Sequence, residues 1–359
     1  MNLRKLTLAT LSIVLLSFSC KKDDGPEIIP DRDRQEVYDE DILEIEEYLE
    51  THFYNYEEFN ANPEYSLAND EFELVFEAIN PDDPDTADKT PLIDQVIEKT
   101  VTQDGIDYKL YILKVREGLN KNVHGLDRAA VTYNGTLVDG TSFDSAVTPA
   151  FFNLTTVGSQ GGVVVGFREG LTEFKTADGF TEAADGSVVY HNHGIGAAFI
   201  PSGLGYFSRP VGSIPQYAPI FFRFNVYSRS NTDFDLDGIP SYLEDLSMSG
   251  DGLDDNTDGD LLVNFIDNDD DGDGVLTRDE VIKKEYTKNE SDVDFATEAE
   301  AQTYYDDNAA ADEVFVSIEI ENDGTYILNT VVVPNTNTSD SPDLPDYLDD
   351  TVTNDLSED

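Results

Sequence analysis

Two groups of side chains in this sequence could do chemistry. The first is built from carboxylates. Asp269, Asp271, Asp273 and Glu280 stand at positions 1, 3, 5 and 12 of a twelve-residue stretch, with Gly274 at position 6 and Thr277 at position 9. Oxygen donors at alternate positions, around a glycine that allows a sharp turn, are the spacing of a loop that wraps a calcium ion. Asp233, Asp235, Asp237 and Glu244 repeat it, although Pro240 at position 8 cannot donate a backbone hydrogen bond to a paired loop. The second group is aromatic and β-branched, lies between residues 98 and 228, and contains no nucleophile. The four histidines are His52, His124, His191 and His193, and none sits in a serine or cysteine nucleophile context. His191-Asn192-His193 is expected to be a solvated loop, because the surrounding carboxylates of a metal or nuclease site are missing. Any active site between residues 98 and 228 is therefore an apolar one.

The elements that must position these groups follow from charge and periodicity. The chain has 359 residues and a formal net charge of −53. Such an excess of acid repels phosphate backbones and anionic headgroups, which excludes nucleic acid as a partner and favours divalent cations. The charge is local: residues 233–359 hold 38 acidic and 4 basic residues, a net −34. The whole chain is 39% hydrophobic, enough to bury a core. A single cysteine, Cys20, leaves no intramolecular disulfide and no cysteine-rich zinc site. Residues 1–19 read as a secretory signal, with Arg4 and Lys5 before an apolar run too short to span a bilayer.

Five segments result. After the signal, residues 20–35 are a polar tether. Residues 36–97 are a helical segment in which Ile42, Ile45, Tyr48 and Leu49 recur at helical spacing and Asp41 is expected to cap the start. Its apolar stripe is expected to pack on the next domain, with a dimer seam as the alternative. Residues 98–228 carry strands at 108–115, 129–137 and 220–227, a turn at 138–141 and one short helix at 166–175. That pattern is α+β, an antiparallel sheet packed on one helix. Residues 176–196, polar and glycine-rich, are expected to be an insertion or flap. Residues 229–359 are the acidic calcium-binding region, with an exit helix expected at 281–286 and a β-hairpin at 313–333 turning at Asn322-Asp323-Gly324.

The middle segment resembles the FKBP-type peptidyl-prolyl isomerases. Tyr133, Gly135, the Asp139-Gly140 turn and Phe143-Asp144-Ser145 are similar to the family's first block. Residues 163–171 resemble the block that opens its helix, and residues 200–206 and 214–224 its last two. The resemblance implies an FKBP-like sheet wrapped on one helix and a proline pocket of Tyr133, Phe143, Asp144, Val163, Val164, Phe167, Tyr206, Ile214 and Phe222. Phe167 stands where the family usually has tryptophan, and Ala150 or Phe151 where an aromatic wall is common. It further implies proline-containing polypeptides as partners, a Tyr206 hydroxyl that bonds a substrate carbonyl, and no cofactor in catalysis. Non-catalytic capture of proline segments or adhesion on calcium-stabilised repeats is the competing reading. The two carboxylate stretches resemble EF-hand loops, and residues 254–260, 264–273 and 340–350 resemble thrombospondin type 3 repeats, which implies structural Ca2+. The N-terminus resembles a bacterial lipoprotein signal, with Cys20 lipidated. That implies a location in the bacterial cell envelope and contact with the membrane through a lipid anchor alone.

Overall fold

The computed structural model describes residues 30–182, 186–287, 291, 293–321, 324–337 and 344–356. The chain divides into two units, Met1–Asp33 and Arg34–Asp359. Of the first, residues 30–33 are described and carry no helix or strand. The expected signal segment, Cys20 and most of the tether lie outside the described residues.

The second unit opens with helix α1 (Arg34–Thr51), strand β1 (His52–Tyr54), helices α2 (Tyr56–Asn60) and α3 (Leu67–Asp70), and strand β2 (Phe76–Ala78). Six strands then form the main sheet: β3 (Val96–Gln103), β4 (Ile106–Arg116), β5 (Arg128–Leu137), β6 (Ser142–Asn153), β9 (Gly194–Ile200) and β10 (Ile220–Ser230). Their order is β3-β4-β9-β10-β5-β6, every pairing antiparallel. One short helix, α4 (Val165–Leu171), lies against one face, so the α+β architecture is a sheet wrapped on a single helix.

Strand parity divides the core into two layers. Along β4, Tyr108, Leu110 and Ile112 join Phe167, Leu171 and Phe174 on the helix side. Tyr111, Leu113 and Val115 face the other way, onto Ile45, Leu49, Phe59 and Phe72 of the N-terminal segment. The stripe on α1 is therefore covered by the outer face of the sheet, and burial of Ile45 and Leu49, both 0% exposed, contributes about 1.5–3 kcal/mol each. Strand β9 is buried along its whole length because both faces are covered. A doubly covered strand shows no polar alternation, which is why residues 194–196 read as flap. The polar stretch before it holds a small hairpin, β7 (Gly179–Glu182) with β8 (Val188–His191).

Polar contacts lock the N-terminal segment down. Asp41 sits inside α1 and is no cap: its Oδ2 accepts bonds from the Ser202 amide at 2.7 Å and hydroxyl at 2.6 Å. Burial pushes its pKa up to about 6. Asp70, at the end of α3, meets Arg116 Nη1 at 3.0 Å with both side chains shielded from solvent. His191 Nδ1 approaches the same carboxylate at 3.1 Å, and the Asn192 amide donates to it at 2.8 Å. His193 is 1% exposed, and desolvation lowers its pKa. The expected solvated loop is thus a clamp that turns inward to hold Asp70.

The acidic region folds into loops followed by a three-stranded sheet. Helix α5 (Thr277–Glu280) is one turn, and residues 281–286 are not an exit helix but lead into strand β11 (Ile282–Tyr286). Val281 is already extended, with φ −117° and ψ 156°, and the β-branched Val281-Ile282 pair feeds the sheet directly. Helix α6 (Glu298–Asn308) packs on strands β12 (Glu313–Ile320) and β13 (Tyr326–Val332), in sheet order β11-β13-β12. Strands β12 and β13 form the expected hairpin; residues 322 and 323 of its turn lie outside the described residues.

Candidate functional site: an aromatic pocket beside acidic loops

Strand β5, the β5–β6 hairpin, the start of α4 and strand β10 bring the aromatic residues together. Phe167 and Phe222 rings stand 4.5 Å apart, Phe143 meets Phe222 edge-on at 5.5 Å, and Tyr133 lies 6.1 Å from Phe167 and 5.9 Å from Phe222. This convergence requires Gly135. A Cβ there would lie 2.6 Å from the Phe143 ring and 2.8 Å from the Phe222 ring, closer than side chains pack. Phe167, Ile214 and Phe222 are buried at 3%, 3% and 6% exposure, while Tyr133, Phe143, Val163, Val164 and Tyr206 are half-buried against them. Eight of the nine expected pocket residues thus share one apolar cluster.

The ninth, Asp144, stands exposed at the rim, and the Tyr133 hydroxyl donates to its Oδ2 at 2.7 Å. Desolvation raises the Tyr133 pKa, and the Asp144 carboxylate raises it further. The phenol therefore stays protonated and fixes the carboxylate. Burial also raises the Tyr206 pKa, with Asp144 adding to it. The aromatic wall comes from neither Ala150 nor Phe151. Phe151 faces outward, 57% exposed, with Arg128 5.2 Å over its ring, and Phe152 packs edge-on against Tyr133 at 5.7 Å. One step of strand parity separates the two, a difference that segment matching does not resolve. The loop beyond Tyr206 is pinned by Phe207, whose ring meets Tyr217 at 5.1 Å and lies 4.1 Å under the Arg34 guanidinium. A separate cavity of about 300 Å3, lined by Phe53, Tyr54, Tyr56 and Lys89 among others, lies in the N-terminal segment and includes none of the pocket residues.

In each acidic loop the carboxylates of positions 1, 3 and 5 gather, whereas Glu244 groups with Asp237 and Asp270 and Glu280 joins no group among the described residues. Asp233, Asp235 and Asp237 bring oxygens within 4.8 Å of one another, as do Asp269, Asp271 and Asp273. Gly238 and Gly274, at the sixth positions, have φ of +108° and +96°, a region open to glycine. Glu244 and Glu280, at the twelfth positions, are 0% and 1% exposed. Thr277 is buried, and its hydroxyl accepts the Asp270 amide at 3.3 Å. Burial and neighbouring acids push Asp235 and Glu280 up to about 8 and Asp237 up to about 7, and raise Glu244 well above its usual range. Oxygens of Asp235, Asp237, Glu244, Asp269, Asp271, Asp273 and Glu280 are buried without a hydrogen-bond partner among the described residues. Buried, mutually repelling oxygen donors fit a hard divalent cation.

Two further groups, Asp245 with Asp254 and Asp255, and Asp258 with Asp260 and Asp267, fill the stretch between the loops. The stretch that holds the first of them is tied to the isomerase-like segment at two points. Arg168 of α4, 8% exposed at its side chain, donates to Asp251 at 2.9 Å, and His124 Nε2 lies 2.9 Å from Asp245. Arg168 is a pocket-helix residue that sequence reading passed over, because its partner lies 83 residues away.

A family model described as BamM C-terminal matches residues 234–317, which includes the second acidic loop and most of the first. No curated protein matches the chain. Among solved structures, a peptidyl-prolyl cis-trans isomerase from Pseudomonas syringae pv. tomato is similar at 16% identity and a TM-score of 0.31, covering 56% of this chain and 99% of that one. FkpA from Escherichia coli is similar at 25% identity and a TM-score of 0.27, covering 36% of this chain and about half, 51%, of that one. No helix among the described residues is long and apolar enough to cross a membrane.

Proposed function

We propose that residues 98–228 catalyse cis-trans isomerisation of Xaa-Pro peptide bonds in envelope or secreted polypeptides, on a chain tethered to a bacterial membrane through lipidated Cys20. The observation that carries this is the convergence of Phe143, Phe167 and Phe222 around Gly135, with the Tyr133–Asp144 pair at the rim. The reaction makes and breaks no covalent bond. It twists a C–N bond against a barrier of about 18–20 kcal/mol that arises from amide resonance. The twisted amide has lost its zwitterionic character, so a dry apolar pocket favours it over the planar substrate in water. Phe143, Val164, Phe167 and Phe222 hold the proline ring, with Val163 and Ile214 closing the floor. Tyr206 donates to a substrate carbonyl, and Asp144, held by Tyr133, interacts with the carbonyl that turns out of plane. Shortening a relaxation of about 10–100 s to milliseconds requires roughly 5.5–7 kcal/mol, within reach of desolvation plus one or two hydrogen bonds.

The same proposal assigns structural Ca2+ to the acidic region, held by Asp233, Asp235, Asp237 and Glu244 in one loop and by Asp269, Asp271, Asp273 and Glu280 in the other. Its support is the set of buried, unpartnered carboxylate oxygens. The cation supplies positive charge that offsets their repulsion and stiffens the loops; it takes no part in the isomerisation.

The test is the exchange rate of an Xaa-Pro peptide, measured by NMR with micromolar protein. Wild type accelerates exchange, and Asp144→Val and Tyr206→Ala reduce the acceleration. Exchange equal to that without protein, or unchanged in both variants, overturns the assignment.

A further inference from the structure

We infer that Asp270 is a cation ligand of the first loop rather than the second, so that the two loops hold one ion between them. The inference rests on the calcium reading and adds a site that loop spacing does not give: Asp270 occupies position 2 of its own loop, a position with no ligand role in the twelve-residue pattern.

Asp237, Glu244 and Asp270 bring carboxylate oxygens within 4.8 Å of one another. They are 0%, 0% and 2% exposed. Both oxygens of Glu244, both of Asp270 and Oδ2 of Asp237 are buried without a hydrogen-bond partner among the described residues. Three buried carboxylates that face one another cannot stabilise a fold by themselves: the Ile239 amide donates to Asp237 Oδ1 at 2.7 Å, and the five remaining oxygens add repulsion without a donor to offset it. Asp235 and Asp233 of the first loop add to the same field, and the exposed Lys283 is the cation that acts on Asp237. An all-oxygen donor set with no nitrogen or sulfur selects a hard cation such as Ca2+ over zinc.

Backbone parity explains how one run serves two ions. Residues 269–273 are not helical, and Asp269, Asp271 and Asp273 gather on one side as their own group while Asp270 turns to the other. The Thr277 hydroxyl holds the Asp270 amide at 3.3 Å, and the Thr277 amide bonds Asn268 at 3.0 Å, which fixes that turn. A single ion at this point joins Glu244 to Asp270 and closes the intervening acidic stretch into a ring.

Calcium titration calorimetry on the full chain, with CaCl2 alone, tests this. Wild type binds calcium, and Asp270→Asn and Glu244→Gln each weaken the same class of site at least about tenfold. The double variant weakens that same class further and leaves the other class unchanged. Asp271→Asn weakens a different class. In chelator, Asp270→Asn raises the melting temperature, because it removes a carboxyl that the buried, acid-lined site holds only at a cost, whether by repulsion or by protonation; this readout separates ligand loss from misfolding. Wild type that binds no calcium overturns both this inference and the calcium reading beneath it. Calcium binding with an isotherm unchanged by Asp270→Asn, a loss shared with Asp271→Asn, or a lower melting temperature in chelator overturns the shared site alone.

Discussion

Removing calcium is the perturbation whose effect the acidic loops define most sharply. Within the group of Asp233, Asp235 and Asp237, and again within that of Asp237, Glu244 and Asp270, oxygens lie within 4.8 Å. At an effective dielectric of about 20, two unit charges at that distance repel by roughly 3.5 kcal/mol. Each ionised neighbour thus costs a substantial part of the net stability of an ordinary domain, about 5–15 kcal/mol. Without a cation the protein relieves this by protonation, the physical content of Asp235 and Glu280 rising to about 8 and Asp270 to about 9. With calcium at about a thousand times its dissociation constant, each site stabilises by roughly 4 kcal/mol, and two sites by about 8. At about 2–4 °C per kcal/mol, the acidic region melts at least about 15 °C higher in calcium than in chelator. The chain contains no tryptophan, so far-UV circular dichroism and calorimetry on the full chain are the suitable readouts. Coincident melts in millimolar calcium and in chelator would refute the reasoning.

Four further outcomes follow from the same geometry. In chelator, the raised carboxylate values imply stability that is fully present only below the ordinary Asp value of 3.8 and is lost as pH rises from there through the folded values of about 7–9; thermal melts across that whole range read it, and calcium abolishes the decline. At pH 7 calcium binding releases protons from the partly protonated Asp235, Asp270 and Glu280, so the calorimetric enthalpy changes with the buffer's ionisation enthalpy. Asp70→Asn leaves Arg116 buried without its counter-charge and lowers stability by about 3–5 kcal/mol in denaturant unfolding, whereas a loss below about 1 kcal/mol would show that the clamp holds nothing. Tyr133→Phe frees Asp144 and lowers kcat/KM about tenfold, the kinetic equivalent of one hydrogen bond of about 1.4 kcal/mol, with the fold unchanged by circular dichroism.

Much of the fold is legible in the sequence because it follows local rules. Residues 108–115 alternate clearly enough to read as a strand, within the observed Ile106–Arg116, and Gly166 with its neighbours reads as a helix. Strand β9 escapes this reading because both of its faces are covered, and residues 281–286 because the loop spacing suggested a helix where β-branched residues joined a sheet. The pocket residues were legible through four ordered segments, but the wall residue Phe152 depended on strand parity. The contacts that join distant segments carry no local signature. Asp41 with Ser202, Asp70 with Arg116, Arg168 with Asp251 and Asp237 with Asp270 each pair a charge with a group far along the chain. Where the acid excess goes was nevertheless visible: its concentration after residue 233 marked the loops in which the carboxylates now lie buried together.

In the proposed function, an apolar pocket of Phe143, Phe167 and Phe222 isomerises proline bonds without acid, base or nucleophile. The measurement that tests it most directly is the pH dependence of cis-trans exchange of one Xaa-Pro peptide, followed by NMR at catalytic protein concentrations. The expected exchange rate is raised well above that of the free peptide and is nearly flat between pH 6 and 8, since twisting the amide requires no proton transfer. Peptide binding with no acceleration, or a rate that follows a single titration across that range, would contradict it.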